Sequence, residues 1–357
     1  MKPRIVILSA FLTPFRSGAE ACVEEVPPLL KDAYDFTIIT ARLRRDLPVE
    51  DHLPSGIRVI RIGWGKPVDK WLYPFLAPFA AKKLKPKIIH AVLESFAGLA
   101  LAFCTWTVPK AKRILTCQST NTSLFVAWMH KRAHVITVIS SVLLARARSF
   151  GRGDAVLIPN GVHVQEIHET AIREKRSEPR VLYVGRLEPM KGVAVLLDAF
   201  ASVVHEFPDV VLHVVGDGSL RKNLEGRHAD LVASNRIVFR GYLPPMSVYK
   251  EYAQAEIFCG LSKSEALGNV FIEAAAAGCA VIATNVGGIP DVVQDDVTGI
   301  LVVPNDSTSA ATAMRRLLKD HELCTQFGKA GQKRAQDFDW SHVAEQYGEV
   351  YAKVLKQ

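Results

Sequence analysis

The sequence predicts an α/β protein of two domains, each a doubly wound parallel sheet with helices on both faces. Short apolar runs rich in β-branched residues alternate with helix-like segments along the chain, a pattern typical of βαβ units. The chain has 357 residues, which is too long for one ordinary domain. A polar stretch, Glu166–Glu178, interrupts the alternation, which then restarts, so we expect a linker there.

The expected strands follow in order along each half. In the first half they are the apolar runs Arg4–Ala10, Phe36–Thr40, Ile57–Ile62, Lys87–Ala91, Arg113–Thr116, His134–Val138 and Ala155–Ile158, with helices such as Ala19–Asp32, Glu94–Thr105 and Ser140–Phe150 between them. In the second half they are Arg180–Val184, Val210–Val215, Ile237–Phe239, Ile257–Cys259, Ala280–Ala283 and Gly299–Val302, and the final helix is Ser341–Gln357. Ligands in such sheets bind beyond the carboxyl ends of the strands, so we expect a site in a cleft where the domains face each other.

Composition indicates a globular protein of a reducing compartment. Hydrophobic residues make up 49% and charged residues 22% of the chain, enough for cores and a solvated surface. The six cysteines include no CxxC pair, which argues against a zinc site or a disulfide framework and favours the cytoplasm. The apolar runs are too short, or too interrupted by glycine and proline, to predict a membrane-spanning helix.

Positive charge is concentrated in the first half of the chain. Residues 1–178 hold 26 Lys+Arg against 15 Asp+Glu, whereas the remainder holds 18 against 21. A basic half indicates a polyanionic partner, such as anionic lipid, a phosphorylated acceptor or nucleic acid. No nucleic-acid recognition motif accompanies the charge, so a nucleic-acid partner is not expected.

Two cations in the segment Tyr183–Gly192 form the first candidate site. The predicted strand ends at Val184, and Arg186 and Lys191 follow it on one loop. A guanidinium grips phosphate oxygens as a fork and an ammonium adds a point charge, so the two side chains suit a diphosphate. A solvated basic loop explains the same residues.

Two glutamates flank a predicted helix start in the segment SEALGNVFIEAAAAG. Gly268 and Asn269 predict the turn that opens the helix, and the free N–H groups and partial positive charge of a helix start bind phosphate. Glu273 can accept from two adjacent ribose hydroxyls, and Glu265 can reach toward the sugar or its phosphate. A carboxylate near a helix start also stabilises the helix by itself, so Glu273 has a purely structural interpretation too.

Two further loops contain candidate glycines. The segment Val214–Leu220 resembles a dinucleotide fingerprint but has Arg221 where a third glycine is needed, so Gly216 is better explained by a close approach to a nucleotide. Ser17 and Gly18 precede a predicted helix and are either a phosphate contact or a plain helix cap.

Aromatic and basic residues are interleaved in Trp64–Lys87 and again in Phe125–Arg132. Rings beside lysines suit a membrane interface, where the rings sit at headgroup depth and the cations meet anionic lipid. The alternative is a core helix with a solvated lysine edge. The membrane hypothesis predicts a peripheral protein on the inner face of the membrane.

In their order along the chain, these segments resemble glycosyltransferase family 4, whose members are retaining enzymes of the two-domain GT-B fold. The resemblance rests on VLYVGRLEPMKG, LHVVGDGSL, RIVFRGYLP, SKSEALGNVFIEAAAAGCAVIATNVGGIPDVV and TGILVVPND, preceded by VLIPNGV and followed by DFDWSHVAEQYGEVY. It covers nearly the whole C-terminal half and is fainter in the first half. It implies an acceptor-side domain over residues 1–170, to which the closing helix 341–357 returns, and a nucleotide-sugar domain over residues 171–340.

The resemblance also implies roles for individual residues. Arg186 and Lys191 would hold the diphosphate and Glu265 would face the sugar or diphosphate, which makes these three the catalytic candidates. The implied donor-binding residues are Gly18, Gln118, Gly216, Gly241, Tyr242, Leu243, Leu267, Gly268, Asn269, Val270 and Glu273. Gln118 stands where the family usually has a histidine; it can donate to a sugar hydroxyl but cannot carry a proton or a positive charge.

The expected activity is metal-independent, retaining transfer of a hexose from a UDP or GDP sugar to a hydroxyl acceptor. The acceptor would be lipid-linked or a polysaccharide precursor, as in cell-envelope glycan biosynthesis. Protein cations and the helix start would stabilise the leaving diphosphate, so no metal or cofactor is expected. Asp337-Phe338-Asp339 matches a DxD motif but lies away from the phosphate loops.

Retention is best explained by front-face displacement, in which the leaving phosphate accepts the proton of the acceptor, because no carboxylate of the first half stands out as a nucleophile.

Other functions share this fold. They are a sugar-nucleotide epimerase or glycogen-type synthase, and a non-catalytic nucleotide-sugar-binding protein, the latter because Gln118 replaces the usual histidine.

Overall fold

The chain of the computed structural model divides into two compact units. Unit 1 comprises Met1–Gly161 and Trp340–Gln357, and unit 2 comprises Val162–Asp339. The structure describes residues 2–15, 18, 20–120, 125–174 and 178–356. The candidate Ser17 and residues 175–177 of the expected linker therefore lie outside the described residues.

Unit 1 contains a mixed sheet with helices packed on it. The strands are β1 (Arg4–Leu8), β2 (Asp35–Ala41), β3 (Glu50–His52), β4 (Arg58–Ile62), β5 (Ile88–Val92), β6 (Lys112–Cys117), β7 (Val135–Val138) and β8 (Val156–Leu157). Their order is β3-β4-β2-β1-β5-β6-β7-β8, and all neighbours are parallel except β3 and β4. The helices are α1 (Ala21–Leu30), α2 (Asp69–Leu84), α3 (Phe96–Thr107), α4 (Val126–Arg132) and α5 (Ser141–Ser149), joined by the last helix of the chain, α15 (Trp340–Lys356).

Unit 2 contains a wholly parallel sheet. The strands are β9 (Arg180–Val184), β10 (Val211–Val215), β11 (Ile237–Gly241), β12 (Ile257–Gly260), β13 (Ala280–Thr284) and β14 (Gly299–Val302), in the order β11-β10-β9-β12-β13-β14. The helices are α6 (Val164–Arg173), α7 (Val193–Ala201), α8 (Arg221–Arg227), α9 (Ala229–Ala233), α10 (Pro245–Gln254), α11 (Asn269–Ala276), α12 (Ile289–Val292), α13 (Ser307–Lys319) and α14 (His321–Ala335), with short 3-10 helices at Pro189–Lys191 and Gln336–Phe338. The expected domain boundary after residue 170 falls inside α6.

The predicted fold class is confirmed, since both units are α/β with parallel strands and connecting helices. Every apolar run predicted as a strand overlaps a strand of the structure. Strand β3 was not predicted, because it consists of three exposed polar residues that pair antiparallel at the edge of the sheet. No helix among the described residues is both long enough and apolar enough to span a bilayer.

Helix α15 packs into the core of unit 1 although it ends the chain. Its side chains Trp340, Tyr347 and Tyr351 are buried with the apolar residues of the first strands. Beneath it, His90 Nδ1 lies 2.8 Å from the Tyr351 hydroxyl and His90 Nε2 lies 2.6 Å from the Thr116 hydroxyl. Burial lowers the pKa of His90 to about 3, so the imidazole stays neutral. Hydrogen bonds as well as apolar packing therefore attach α15 to the sheet.

Candidate active site

The candidate site of unit 2 lies at the point where its strand order reverses. The sheet runs outward in one direction from β9 and in the other from β12, and ligands of doubly wound sheets bind beyond the carboxyl ends of the strands at such a point. The loop after β9 carries Arg186 and Lys191, and the loop after β12 carries Glu265. The two strongest sequence motifs thus flank the same topological switch point.

Backbone hydrogen bonds join the strand ends on one side of this point. The Gly185 amide donates to the Val215 carbonyl at 3.0 Å, and the Gly216 amide donates to the Gly241 carbonyl at 2.8 Å. Gly216 has a φ of +124°, and a Cβ atom there would lie 1.9 Å from the Gly185 carbonyl oxygen. Only glycine fits, and the close approach at Gly216 is to a neighbouring loop of the same unit.

A second glycine draws the loop after β9 across the switch point. Gly192 has a φ of +67°, and a Cβ atom there would lie 1.9 Å from the carbonyl oxygen of Leu261, the residue that follows β12. Close by, the Lys263 amide donates to the Met190 carbonyl at 2.8 Å. The two loops are therefore in backbone contact, which fixes the position of Lys191 relative to the residues after β12.

The ammonium of Lys191 forms an ion pair with the Glu265 carboxylate. The pair is partly shielded from solvent, and the Ser262 hydroxyl donates to the same carboxylate oxygen at 3.0 Å. The Glu265 carbonyl accepts from the Gly288 amide at 3.1 Å, and a Cβ atom on Gly287 would lie 1.9 Å from that oxygen. Glu265 is thus held through both its backbone and its side chain, and it orients Lys191.

Arg186 is exposed, and its guanidinium has no hydrogen bond or ion pair with any residue that the structure describes. Its backbone is fixed, since the Tyr183 hydroxyl donates to the Arg186 carbonyl at 2.9 Å. Hydrogen bonds from Ser219 are the main cause that lowers the pKa of Glu188, and the nearby positive charge of Arg186 lowers it further. The backbone of Arg186 is therefore fixed, while its guanidinium is free to bind an anion.

Helix α11 begins at Asn269, one residue before the predicted start. Gly268 is its N-cap with a φ of +97°, which favours glycine. The amides of Asn269 and Val270 precede the first intrahelical hydrogen bonds, while the Phe271 amide donates to the Gly268 carbonyl at 3.0 Å. Leu267 is buried beside this turn. The helix start thus offers free N–H groups and a partial positive charge.

Glu273 lies on the second turn of α11 and is half-buried. The hydroxyl of the fully buried Tyr252 donates to its Oε2 at 2.9 Å. Burial raises the pKa of Glu273 to about 7, although the Tyr252 hydrogen bond and the charge of His163 lower it. The carboxyl group therefore titrates near neutral pH and keeps one oxygen for another donor.

The last residue of β11, Gly241, and the two residues after it place the Tyr242 ring at the surface. Gly241 has a φ of +69°, and the Tyr242 side chain is 79% exposed, whereas Leu243 is half-buried. Their backbone carries on from the carboxyl end of β11, next to Gly216. The structure thus places all three at the same edge of the sheet as Arg186 and Glu265.

Two of the predicted donor-binding residues, Gly18 and Gln118, lie in unit 1. Gly18 is exposed. Gln118 is buried, and both ends of its carboxamide are engaged: Nε2 lies 3.2 Å from Cys22 Sγ, and Oε1 accepts from Asn160 Nδ2 at 3.0 Å. The roles of these two residues in donor binding stay predictions.

A buried charge cluster beside Gln118 was not among the predicted site residues. The Arg146 guanidinium pairs with the Glu94 carboxylate, whose other oxygen accepts from the Gln118 amide at 2.8 Å. Burial raises the pKa of Glu94, although Arg146 favours its charged form. Arg146 also donates to the Ser119 carbonyl at 2.7 Å. Glu94 is the second residue after β5, and this strand-end position is the only signal that the sequence offered.

Three possible metal ligands meet in unit 1. Glu94, Cys117 and His130 are buried, and their ligand atoms lie within 4.8 Å of one another. Since Arg146 already pairs with Glu94, its guanidinium charge opposes a cation there. The DxD residue Asp339 lies elsewhere, in unit 2, where its carboxylate accepts from the Val164 amide at 3.3 Å.

Two doubly wound units define a two-domain α/β protein, and the cations and the helix start at the switch point of the second form a candidate anion-binding site. Two family models match the chain. The model described as "Glycosyl transferases group 1" matches residues 164–334, and the model "Glycosyltransferase Family 4" matches residues 16–166.

Relatives and solved structures agree with the family models. The phosphatidyl-myo-inositol mannosyltransferase of Mycobacterium tuberculosis is 29% identical over 373 residues, covering 98% of this chain and 97% of its own. Sucrose-phosphate synthase from Thermosynechococcus elongatus has a TM-score of 0.83 at 23% identity, covering 99% of this chain and 100% of that one. Anabaena Alr3699/HepE, solved in complex with UDP, has a TM-score of 0.78 at 19% identity, covering 99% and 100%.

The chain belongs to glycosyltransferase family 4, and it is a glycosyltransferase of the GT-B fold. The family matches come from both units, and the structural likenesses establish the fold. The family and fold predicted from the sequence motifs are thereby confirmed.

Glu273→Gln is expected to stabilise the protein at alkaline pH. The folded protein keeps the Glu273 proton up to about pH 7, whereas the unfolded chain releases it near the ordinary pKa of 4.5. Stability therefore falls as the pH rises from 4.5 through 7, and above that the buried charge costs its full amount. Glutamine keeps an acceptor for Tyr252 without the charge, so at pH 8.5 its free energy of unfolding should exceed the wild type's by about 1–2 kcal/mol.

Urea denaturation of both proteins at pH 5 and pH 8.5 measures this difference, which should nearly vanish at pH 5. Glu349→Gln, at an exposed carboxylate of α15, is the matched control and should show no gain at either pH. An equal gain for Glu273→Gln at both pH values would contradict the account.

Proposed function

We propose that the protein transfers a hexose from a nucleotide-diphosphate sugar to a hydroxyl acceptor, with retention of anomeric configuration and without a metal ion. The observation that carries the proposal is the set of positive groups on the two loops at the switch point of unit 2: the unengaged guanidinium of Arg186, the oriented ammonium of Lys191 and the start of α11. A diphosphate matches these groups in charge and in hydrogen-bonding capacity. The UDP held by Alr3699/HepE supports a nucleoside diphosphate as the ligand.

Breaking the bond between the sugar and the diphosphate places negative charge on the leaving group. Arg186, Lys191 and the amides of Asn269 and Val270 would stabilise that charge, and because they are fixed before the reaction they need no reorganisation. These groups supply the positive charge that a divalent ion would otherwise supply, so we expect activity to persist in EDTA.

Glu265 would act at the same place in two ways. Its pair with Lys191 holds the ammonium at the edge of the site, and its partly buried carboxylate would face the sugar or diphosphate. Glu273 would accept from the ribose hydroxyls with the carboxylate oxygen that Tyr252 leaves free. Tyr242 and its neighbours would lie beside the base.

The acceptor is proposed to be lipid-linked. The relative from Mycobacterium tuberculosis is named for the mannosylation of phosphatidyl-myo-inositol, and it aligns with almost all of this chain. The excess of Lys+Arg over Asp+Glu in residues 1–178 suits an acceptor that carries phosphate or lies in an anionic membrane. The six cysteines are free and buried, which fits action at the cytoplasmic face of a membrane during envelope glycan assembly.

Retention is expected to follow from front-face displacement. The acceptor oxygen bonds to the anomeric carbon as the bond to the diphosphate oxygen breaks, and the leaving phosphate takes the acceptor's proton. NMR of the product should therefore show an α-linked sugar from an α-linked donor. A β-linked product would contradict this mechanism.

A nucleotide-diphosphate sugar should raise the melting temperature of the protein by mass action, equally with and without EDTA. Arg186→Ala should weaken donor affinity by at least about tenfold, because a hydrogen bond to a charged group contributes about 1.5–3 kcal/mol. Thermal denaturation with a panel of UDP and GDP sugars, each at several concentrations, measures both effects.

Arg316→Ala is the matched control, since Arg316 is an exposed arginine of α13 whose one ion pair with a described residue is to the exposed Asp296. It should leave donor affinity unchanged. Loss of stabilisation in EDTA would contradict metal independence, and full affinity in Arg186→Ala would remove Arg186 from the donor site.

A further inference from the structure

Large aromatic side chains that unit 1 leaves exposed form one continuous surface on α2, α3 and α4, which we call the aromatic shelf. On α2, Trp71 is 62%, Phe75 58% and Phe79 60% exposed; they are spaced four residues apart and therefore share one face of the helix. On α3, Trp106 is 59% exposed. Soluble proteins seldom leave so much contiguous apolar surface exposed without a partner for it.

Ring contacts connect the shelf across the three helices. Phe103 of α3 lies 5.3 Å from Phe75, 6.0 Å from Trp106 and 5.9 Å from Trp128 of α4, measured between ring centroids. The Arg132 guanidinium lies over the Trp106 and Trp128 rings at 5.3 and 5.8 Å. The rings are thus held in place by one another and by a cation, rather than projecting as independent side chains.

The charge on the shelf is entirely positive. Helices α2, α3 and α4 contain one acidic residue, Asp69. Asp69 is buried, and its Oδ2 accepts from the Gly65 and Lys66 amides at 2.7 and 3.0 Å, so it contributes no exposed carboxylate. Lys82 and Lys83, in the last turn of α2, are exposed, as is Lys131 of α4.

The shelf also reaches the carboxyl edge of the unit 1 sheet. Trp71, in the first turn of α2, lies 5.0 Å from Phe96, the first residue of α3, and Phe96 lies 6.4 Å from Phe11, just after β1. These positions follow the carboxyl ends of β4, β5 and β1, the edge where doubly wound sheets bind ligands. A binding partner that contacts the shelf would therefore lie close to that edge of the sheet.

We propose that the aromatic shelf docks on an anionic lipid bilayer, with its rings at headgroup depth and its lysines against the lipid phosphates. Exposed rings rimmed by cations, without an exposed carboxylate among them, match that interface in polarity and charge. This docking rests on the proposed function, because a lipid-linked acceptor is presented by a membrane. The bilayer, as opposed to a protein partner, is favoured by the uniform charge.

Flotation with vesicles of phosphatidylglycerol and phosphatidylcholine tests the proposal, using the full chain at about 100 mM salt. The wild type should float with the anionic vesicles and far less with phosphatidylcholine alone. Phe75→Ser/Phe79→Ser and Lys82→Glu/Lys83→Glu should each lower the partition coefficient at least about tenfold. Matched controls in unit 2, Met246→Ser/Val303→Ser and Lys222→Glu/Lys319→Glu, change residues that are also exposed and should float like the wild type.

Failure of the wild type to float, or equal loss in the unit 2 controls, would overturn the proposal. Binding that survives both shelf variants would overturn it as well. Stabilisation by a nucleotide-diphosphate sugar separates this result from the proposed function. Shelf variants that lose flotation but keep that stabilisation support both, whereas flotation without any donor binding supports docking and contradicts the transfer activity.

Discussion

The candidate site of unit 2 depends on the contact of backbone with backbone between loops at the carboxyl edge of the sheet. At Gly192, Gly216 and Gly287 a Cβ atom would lie 1.9 Å from a carbonyl oxygen of another loop, so each approach requires glycine. The backbone atoms of residues next to these contacts are therefore held in place, and so are the Cα atoms from which their side chains extend. Because the loops are in contact, Lys191 meets Glu265 across 74 positions of sequence.

The same contacts divide the cations into two kinds. Lys191 is neutralised locally by Glu265 and held in one place, whereas Arg186 keeps its charge for a ligand. The start of α11 adds amides that no helix interior can satisfy. An anion with several phosphate oxygens can use all three kinds of donor at once, and this is the property expected of a site that stabilises a leaving diphosphate. Lys191 is thus already positioned before a ligand binds, and Arg186 supplies a positive charge that no described carboxylate neutralises.

Much of the fold was predictable from the sequence, because each buried parallel strand is a short apolar run. The helices between these runs have polar faces, which separate one strand from the next in the sequence. The glycines and cations of the loops marked the donor motifs for the same local reasons. Strand β3 was not predictable, since its polar residues carry no periodic signal, and neither was the Glu94–Arg146 pair, whose members are distant in sequence and meet only in the fold. The sequence left open whether Trp64–Lys87 was a core helix, because periodicity does not report which neighbouring helices cover a ring; in the structure Trp71, Phe75 and Phe79 stay exposed.

The central claim, that the loops at the switch point of unit 2 hold the donor diphosphate, is tested most directly by hydrogen–deuterium exchange with and without a saturating nucleotide-diphosphate sugar. The account predicts slower exchange in peptides that cover residues 185–192 and 264–271, because their amides become hydrogen-bonded to phosphate or closed off from water, with little change in α13 and α14. Protection elsewhere in unit 2, with those two segments unchanged, would contradict it.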